Sequence, residues 1–392
     1  RSSDLETSIQ QGSPVFRADL LPATINSMYV SEDLPQAVHF LRRGLSAAFR
    51  VADSQVWLRF PQTDLLRHIG SADHARGNNT RLELEIPIAA DRLEARAYRT
   101  QVAIRGQEEG EVVQRAVPLI ASGSQPIGVI TISENLSNLP MEDLRERDLQ
   151  MTGFLNQATR ALNAVKLRRQ ELTLAGRVQA SLLPEGPPEM PGWQIAATWK
   201  PARETSGDFY DFVPLSNNRT GIVMADVVDK GMGAALLMAL TRTLIRTYAA
   251  EFPNHPEHLL QVTNQRLLAD IDAGMFVTIF YGVLDTETGL LTYSNAGHPP
   301  PYLFSPDGKP GTISLPDSSM PLGVSGEASW QQGLQEIPPG AMLLLYTDGV
   351  IDAQNPFGEF LGEQGMLNII QTRIGKSDVS IQETMLATLA DF

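Results

Sequence analysis

Three short stretches place an aspartate where a run of apolar residues gives way to a glycine or a small turn. They are "SGDFYDF" with Asp208, "VMADVVDKG" with Asp226 and "LLLYTDGV" with Asp348. Taken singly, each reads as an ordinary turn beside a strand, because Asp and Gly tolerate the backbone conformations that turns require. As a set they read differently. Neighbouring strands of a sheet lie about 4.8 Å apart, so carboxylates far apart in sequence can converge at strand ends. Several hard oxygen donors without a nearby histidine or cysteine suit Mg²⁺ or Mn²⁺ rather than zinc or copper. Two such ions about 3.5 to 4 Å apart can activate a bridging water and neutralise a phosphoryl group during in-line attack.

Carboxylates so dispersed need a framework to bring them together. From Trp193 onward strand-like and helix-like stretches alternate: "WQIAATWKPA", "GDFYDFVPL" and "RTGIVMADVV" read as strands, "GAALLMALTRTLIRTYAAE" and "PEHLLQVTNQRLLADI" as helices. "MFVTIFYGVLDTETGLLTYSNAGH" predicts a hairpin around Thr286 to Gly289, and "AMLLLYTDGV" a buried strand ending in Asp-Gly. The proline-rich "LLPEGPPEMPG" before Trp193 marks a stop between domains.

The first half predicts a helix at "LPQAVHFLRRGLSAAFR", strands at "DSQVWLRF" and "RLELEI", a polar loop at "SADHARGNNT" and a hairpin at "RAVPLIASGSQPIGVITIS". Between the halves, Met151, Leu155, Ala158, Leu162, Val165 and Leu172 follow heptad spacing broken by Arg169. Two readings stand: a parallel dimeric coiled coil, or a helix packed on its own domain.

The chain has 392 residues, more than one core usually serves, so two domains are expected. A formal net charge of −14 with no basic run disfavours nucleic acid or an anionic membrane as partner. The absence of cysteine removes disulfides, thiolate metal sites and cysteine nucleophiles, and accords with a reducing, cytoplasmic setting. No apolar run is long enough to span a bilayer and neither end reads as a signal peptide. The start at Arg1 reads as a fragment or trimmed chain.

Residues 171 to 392 resemble the SpoIIE-type (RsbU-like) bacterial branch of the metal-dependent protein phosphatase 2C (PPM) superfamily. The resemblance is carried in order by "GRVQASLLPEGPPEMPGW", "KPARETSGDFYDF", "ADVVDKGMGAALLMA", "MFVTIFYGVLD", "NAGHPPPYL", "PLGV" and "YTDGVIDAQNPFGEFLG". It implies hydrolysis of phosphoserine or phosphothreonine on a protein, with two Mn²⁺ or Mg²⁺ ions in an αββα sandwich. By motif, Asp226 would bridge both metals, the Val227 carbonyl would be the adjoining ligand, and Asp348 would be a further metal carboxylate. Asp208 would border the metals and hold their waters, with Glu204 and Gly349 beyond them, while Phe209 and Phe212 anchor the strand. Asp211 is open between a solvated role and one just behind the site.

His298 reads either as a general acid or as a loop-fixing side chain, and Lys230 either as a phosphate contact or as solvated. Gly231-Met232-Gly233 reads as a phosphate cradle or as a close approach of strand to helix. Ser206 and Asp229 stand where the family commonly has glycine or a small residue, both tolerable changes. The family's terminal acidic motif has no match after Asp348, which implies a domain truncated at its C-terminus.

More loosely, residues 25 to 165 resemble a GAF domain, which implies a sensor for a small molecule or a dimerisation module. The expected organisation is α+β. It comprises an N-terminal extension (1–24), a GAF-like α/β/α sensor domain (25–140), a linker helix with possible dimer coiled coil (141–186) and an αββα phosphatase domain (187–392). The expected partner is a phosphoprotein of the anti-anti-sigma (STAS) type, in a homodimer regulated through the GAF-like half. The alternative function is a pseudophosphatase scaffold that binds a partner without hydrolysis.

Overall fold

A computed structural model describes residues 17–60, 63–70, 85–109, 112–121, 125–135, 140–271, 274–313, 320–355, 357–371 and 378–391. The polar loop at 71–80, the first four residues of "RLELEI" and part of the turn within the 115–133 hairpin lie outside them. The chain divides into two compact units, Arg1–Gln170 and Glu171–Phe392.

The first unit holds α1 (Leu21–Tyr29), α2 (Leu34–Phe49), β1 (Asp53–Arg59), β2 (Leu65–Ile69), β3 (Glu85–Pro87), α3 (Leu93–Thr100), β4 (Ile104–Glu109), β5 (Val112–Leu119) and β6 (Gly128–Asn135). It also holds the first part of α4 (Met141–Leu182). The strands form one antiparallel sheet in the order β3-β2-β1-β6-β5-β4. Alternation along the strands fills both faces. Val56, Leu58, Ile130 and Ile132 pack with α1, α2 and α4, while Trp57, Val129 and Ala116 pack with α3. This is the expected α/β/α layering.

The heptad residues Met151, Leu155, Ala158, Leu162 and Val165 all lie in the core shared with α1, α2 and the sheet. From Met151 to Val165 the seam is thus taken up within the unit, whereas Leu172 is no part of that core. The competing reading, a helix packed on its own domain, describes α4 through Val165.

The second unit contains β7 (Phe209–Leu215), β8 (Arg219–Val227), α5 (Met232–Ala249), α6 (Pro256–Asp270), β9 (Val277–Asp285), β10 (Leu290–Ala296), β11 (Tyr302–Phe304), β12 (Pro310–Thr312), β13 (Gly333–Glu336), β14 (Met342–Leu344), α7 (Asp348–Ile351), α8 (Gly362–Gln371) and α9 (Asp378–Asp391). Two antiparallel sheets, β13-β10-β9-β8-β7 and β12-β11-β14, lie face to face. On β9, Val277, Ile279, Tyr281 and Val283 pack with α5 and α6, whereas Phe280 and Leu284 join Leu303, Leu343 and Leu345 between the sheets. Tyr302, Phe304 and Tyr346 face α8 and α9 on the far side. The result is a helix–sheet–sheet–helix sandwich, the αββα order expected.

Two strand expectations are corrected. "WQIAATWKPA" forms no strand: a strand requires a hydrogen-bonded neighbour, and residues 194–200 pair with none among the described residues. A side chain takes up one of its carbonyls instead, Gln382 Nε2 donating to the Ala197 oxygen at 2.9 Å. "AMLLLYTDGV" yields only the half-buried, three-residue β14, after which Asp348 opens α7 rather than ending the strand.

Candidate functional site

Register brings the carboxylates together. Phe209 pairs with Ala225 on β7 and β8, and Asp226 pairs with Thr278 on β8 and β9. Val223, Ala225 and Val227 face the helices, so the pleat turns Asp226 to the inter-sheet face. Asp208 stands just before β7, its carboxyl close enough to Asp226, Thr347 and Asp348 for each to act on its ionisation. Gly207 makes this approach possible: a Cβ there would lie 2.4 Å from the Val227 oxygen and 3.1 Å from Asp226 Oδ1.

Across the sandwich, Asp348 enters at the start of α7 and is exposed. Its charge acts on both of the other aspartates. Gly349 is alongside, its Cβ position 3.8 Å from Asp208 Oδ2. Burial, then the charge of Asp208, pushes the Asp226 carboxyl up to about 8; burial also raises Asp208. Two carboxyls buried side by side each resist ionisation, and a bound cation would relieve the repulsion between them.

Among the described residues, no three His, Cys, Asp or Glu side chains stand in an arrangement ready to enclose an ion. The aspartates converge electrostatically without forming a closed cage. The donor set nevertheless fits a divalent cation. It is all oxygen, the Val227 carbonyl lies beside it in the space a Cβ at Gly207 would fill, and Asp348 leaves it open to water.

His298 is 3% exposed, and both ring nitrogens are engaged. Nε2 meets the Tyr346 carbonyl at 3.1 Å and Nδ1 meets Thr278 Oγ1 at 3.1 Å. A carbonyl can only accept, so Nε2 carries the proton and the threonine hydroxyl donates to Nδ1. Burial holds this imidazole down at about 4. The side chain braces the strand partner of Asp226 against the segment leading to Asp348. It offers no free nitrogen to a substrate, which resolves the two readings in favour of a structural role.

Other expectations are corrected by the pleat. Phe209, Asp211 and Val213 share the buried face of β7, so Phe212 is only half-buried and packs edge-on against Tyr210. Asp211 is neither solvated nor behind the metal site: at 1% exposure it pairs with Arg242 at 3.0 Å and Arg246 at 2.6 Å on α5. Gly231 serves its φ of +89° rather than a close approach, since a Cβ there would meet nothing. Lys230 is exposed. Asp229 has a φ of +77°, the left-handed conformation that favours the smaller residue of the family pattern. Glu204 is half-buried, and its carbonyl oxygen abuts Gly176 of α4.

Sequence reasoning missed Thr347, Thr278 and Gln179. Gln179 donates to and accepts from the Ser206 backbone, and its signal was present in "GRVQAS" at the head of the first motif.

Residues 216–392 match the family model described as Stage II sporulation protein E (SpoIIE). Protein IcfG of Synechocystis sp. is 33% identical over 230 residues, covering 52% of this chain and 36% of that protein. Phosphoserine phosphatase RsbU of Bacillus subtilis is 31% identical over 210 residues, covering 53% of this chain and 61% of that protein. The chain thus spans between 36% and 61% of these relatives' lengths. Among solved structures, the SiaA-PP2C domain of Pseudomonas aeruginosa superposes with a TM-score of 0.50 at 20% identity, covering 58% of this chain and 92% of that one. At that identity the likeness concerns the fold. No helix among the described residues is long and apolar enough to cross a membrane.

Proposed function

We propose that this chain, which carries a SpoIIE/PP2C-type phosphatase domain in its C-terminal unit, hydrolyses phosphoserine or phosphothreonine on a protein substrate. The observation that carries this reading is the convergence of Asp208, Asp226 and Asp348, from three separate stretches, at one edge of the sandwich. Phosphatases of this family depend on metal. Asp226, the Val227 carbonyl and Asp348 would hold two Mn²⁺ or Mg²⁺ ions, with Asp208 holding their waters and Glu204 and Gly349 behind them. Such ions supply a water of lowered pKa and neutralise phosphoryl charge.

The protein's own part is positional. Gly207 admits Asp208 to Asp226, and His298 ties the two sheets where the carboxylates meet. Asp348, exposed at the start of α7, leaves one side accessible to a phosphorylated side chain.

The substrate class we favour is a phosphoprotein of the anti-anti-sigma (STAS) type, supported by the RsbU-like motifs and by the similarity to a named phosphoserine phosphatase. The N-terminal unit, with its α/β/α layering, would act as a GAF-type sensor in a cytoplasmic homodimer. The domain limits adopted for this reading are 25–140, 141–186 and 187–392.

The test is hydrolysis of p-nitrophenyl phosphate and of a phosphoserine peptide with Mn²⁺, Mg²⁺ or EDTA. Metal-dependent turnover that falls at least ~100-fold in Asp226→Asn is expected, the scale of losing a principal electrostatic group. A folded chain inert with every metal would instead favour the non-hydrolysing scaffold.

A further inference from the structure

The stretch "GRVQ" (176–179) takes no part in the chemistry above, yet it is where α4 meets the acidic segment. Gln179 is 3% exposed, and its amide makes two bonds to a single residue. Nε2 donates to the Ser206 carbonyl at 2.5 Å, and Oε1 accepts the Ser206 N–H at 3.0 Å. That is the pair of bonds an antiparallel partner strand would make, supplied here to a segment without a strand neighbour among the described residues.

One helical turn earlier, and so on the same face, Gly176 lies against Glu204. A Cβ at Gly176 would stand 1.8 Å from the Glu204 carbonyl oxygen, closer than atoms can approach. From Ser206 the connection continues: its hydroxyl accepts the Asp208 N–H at 3.1 Å, and Trp199 Nε1 donates to the Asp208 carbonyl at 2.9 Å. Asp208 therefore hangs from α4 through two hydrogen-bonded steps.

We propose that Gln179 and Gly176 are positioning residues of the phosphatase site, holding the Glu204-to-Asp208 segment where the Asp208 carboxylate meets Asp226. The proposal rests on the phosphatase reading above. Neither residue reaches the reacting atoms; each acts through the backbone that carries Asp208. Gln179 fixes the segment's register, and Gly176 fixes its distance from the helix.

The experiment uses the whole chain with Gln179→Glu, Gln179→Ala and Gly176→Ala, and with Val178→Ala, on the exposed side of the same helix, as control. Three quantities are measured. They are kcat and KM for p-nitrophenyl phosphate at saturating Mn²⁺, the melting temperature, and the Trp199 indole N–H resonance, assigned by its loss in Trp199→Phe. Gln179→Glu keeps an acceptor for the Ser206 N–H but, once ionised, has no donor for its carbonyl. It is expected to lower kcat about 10- to 100-fold with KM little changed, as for residues that orient metal-site groups. The indole resonance is expected to shift in the same protein, and its melting temperature to fall while the chain stays folded at the assay temperature, so that the loss of kcat exceeds any loss of folded protein. Gly176→Ala, whose Cβ must displace the Glu204 carbonyl, is expected to lower kcat and shift the indole resonance with a lower melting temperature but a chain still folded at the assay temperature, and Val178→Ala to change nothing.

Retention of wild-type kcat and of the indole resonance in both Gln179→Glu and Gly176→Ala overturns the proposal. So does a loss of kcat that only follows a loss of folded protein, with the indole signal in place. Absence of hydrolysis in the wild type overturns the phosphatase reading instead, and the indole resonance then still reports whether the clamp holds the segment.

Discussion

His298 shows how a residue's type and its role come apart. Histidine near an acidic site invites an acid–base assignment, but here the ring is buried, neutral and bonded at both nitrogens. Its folded-state pKa of about 4 lies below the ordinary 6.5. A depressed value means the native state resists protonation. Its stabilising contribution is therefore complete above about 6.5 and is lost as the pH falls toward about 4. At about 1.4 kcal/mol per unit, roughly 3 kcal/mol is at stake across that window. Urea-unfolding midpoints of the wild type are expected to fall between pH 6.5 and 4, whereas His298→Gln, less stable at neutral pH, shows a shallower fall in the same range. Equal slopes in the two proteins would show that the imidazole does not titrate with unfolding.

At the scale of elements, α4 carries the sharpest lesson. Its heptad pattern is a true helical signal, but a stripe of apolar residues specifies burial and leaves open what covers it. The sheet and α1 and α2 cover it, so Leu162 is fully buried within its own unit. Leu162→Ala is accordingly expected to cost about 2–5 kcal/mol, the range for deleting a buried leucine side chain. Thermal unfolding of that variant should shift downward by the same amount at every protein concentration. A shift that grows on dilution would restore the coiled-coil interface. The pleat of β7 makes the complementary point, since alternation alone puts Asp211 with Phe209 and Val213 and sends Phe212 to the other side.

For the molecule as a whole, the compact C-terminal unit spans Glu171–Phe392 and so takes in the end of α4 that the proposed limit at 187 leaves out. Leu183 packs against its core, and Gln179 and Gly176 hold its acidic segment. Fragments 171–392 and 187–392 therefore separate the two boundaries. The longer is expected to melt cooperatively and to bind Mn²⁺ with a rise in melting temperature. The shorter, without the helix end, is expected to melt several degrees lower and to show a smaller rise. Identical behaviour would place the boundary at the prolines.

Most of the strands and helices that flank the aspartates were legible in the sequence because periodicity and turn residues are local signals, whereas the αββα layering was an implication of the resemblance to a known family, carried by short ordered motifs. "WQIAATWKPA" failed as a strand because pairing is a property of two segments and its alternation describes only one. The partner of Asp211, the brace made by His298 and the amide clamp of Gln179 were hidden for the same reason, each joining residues dozens of positions apart. Sequence alone nominated the carboxylates that could do the chemistry. Only the tertiary structure decided which of them meet, because convergence depends on register, pleat and the close approach of backbone segments, and no single stretch of chain encodes these by itself.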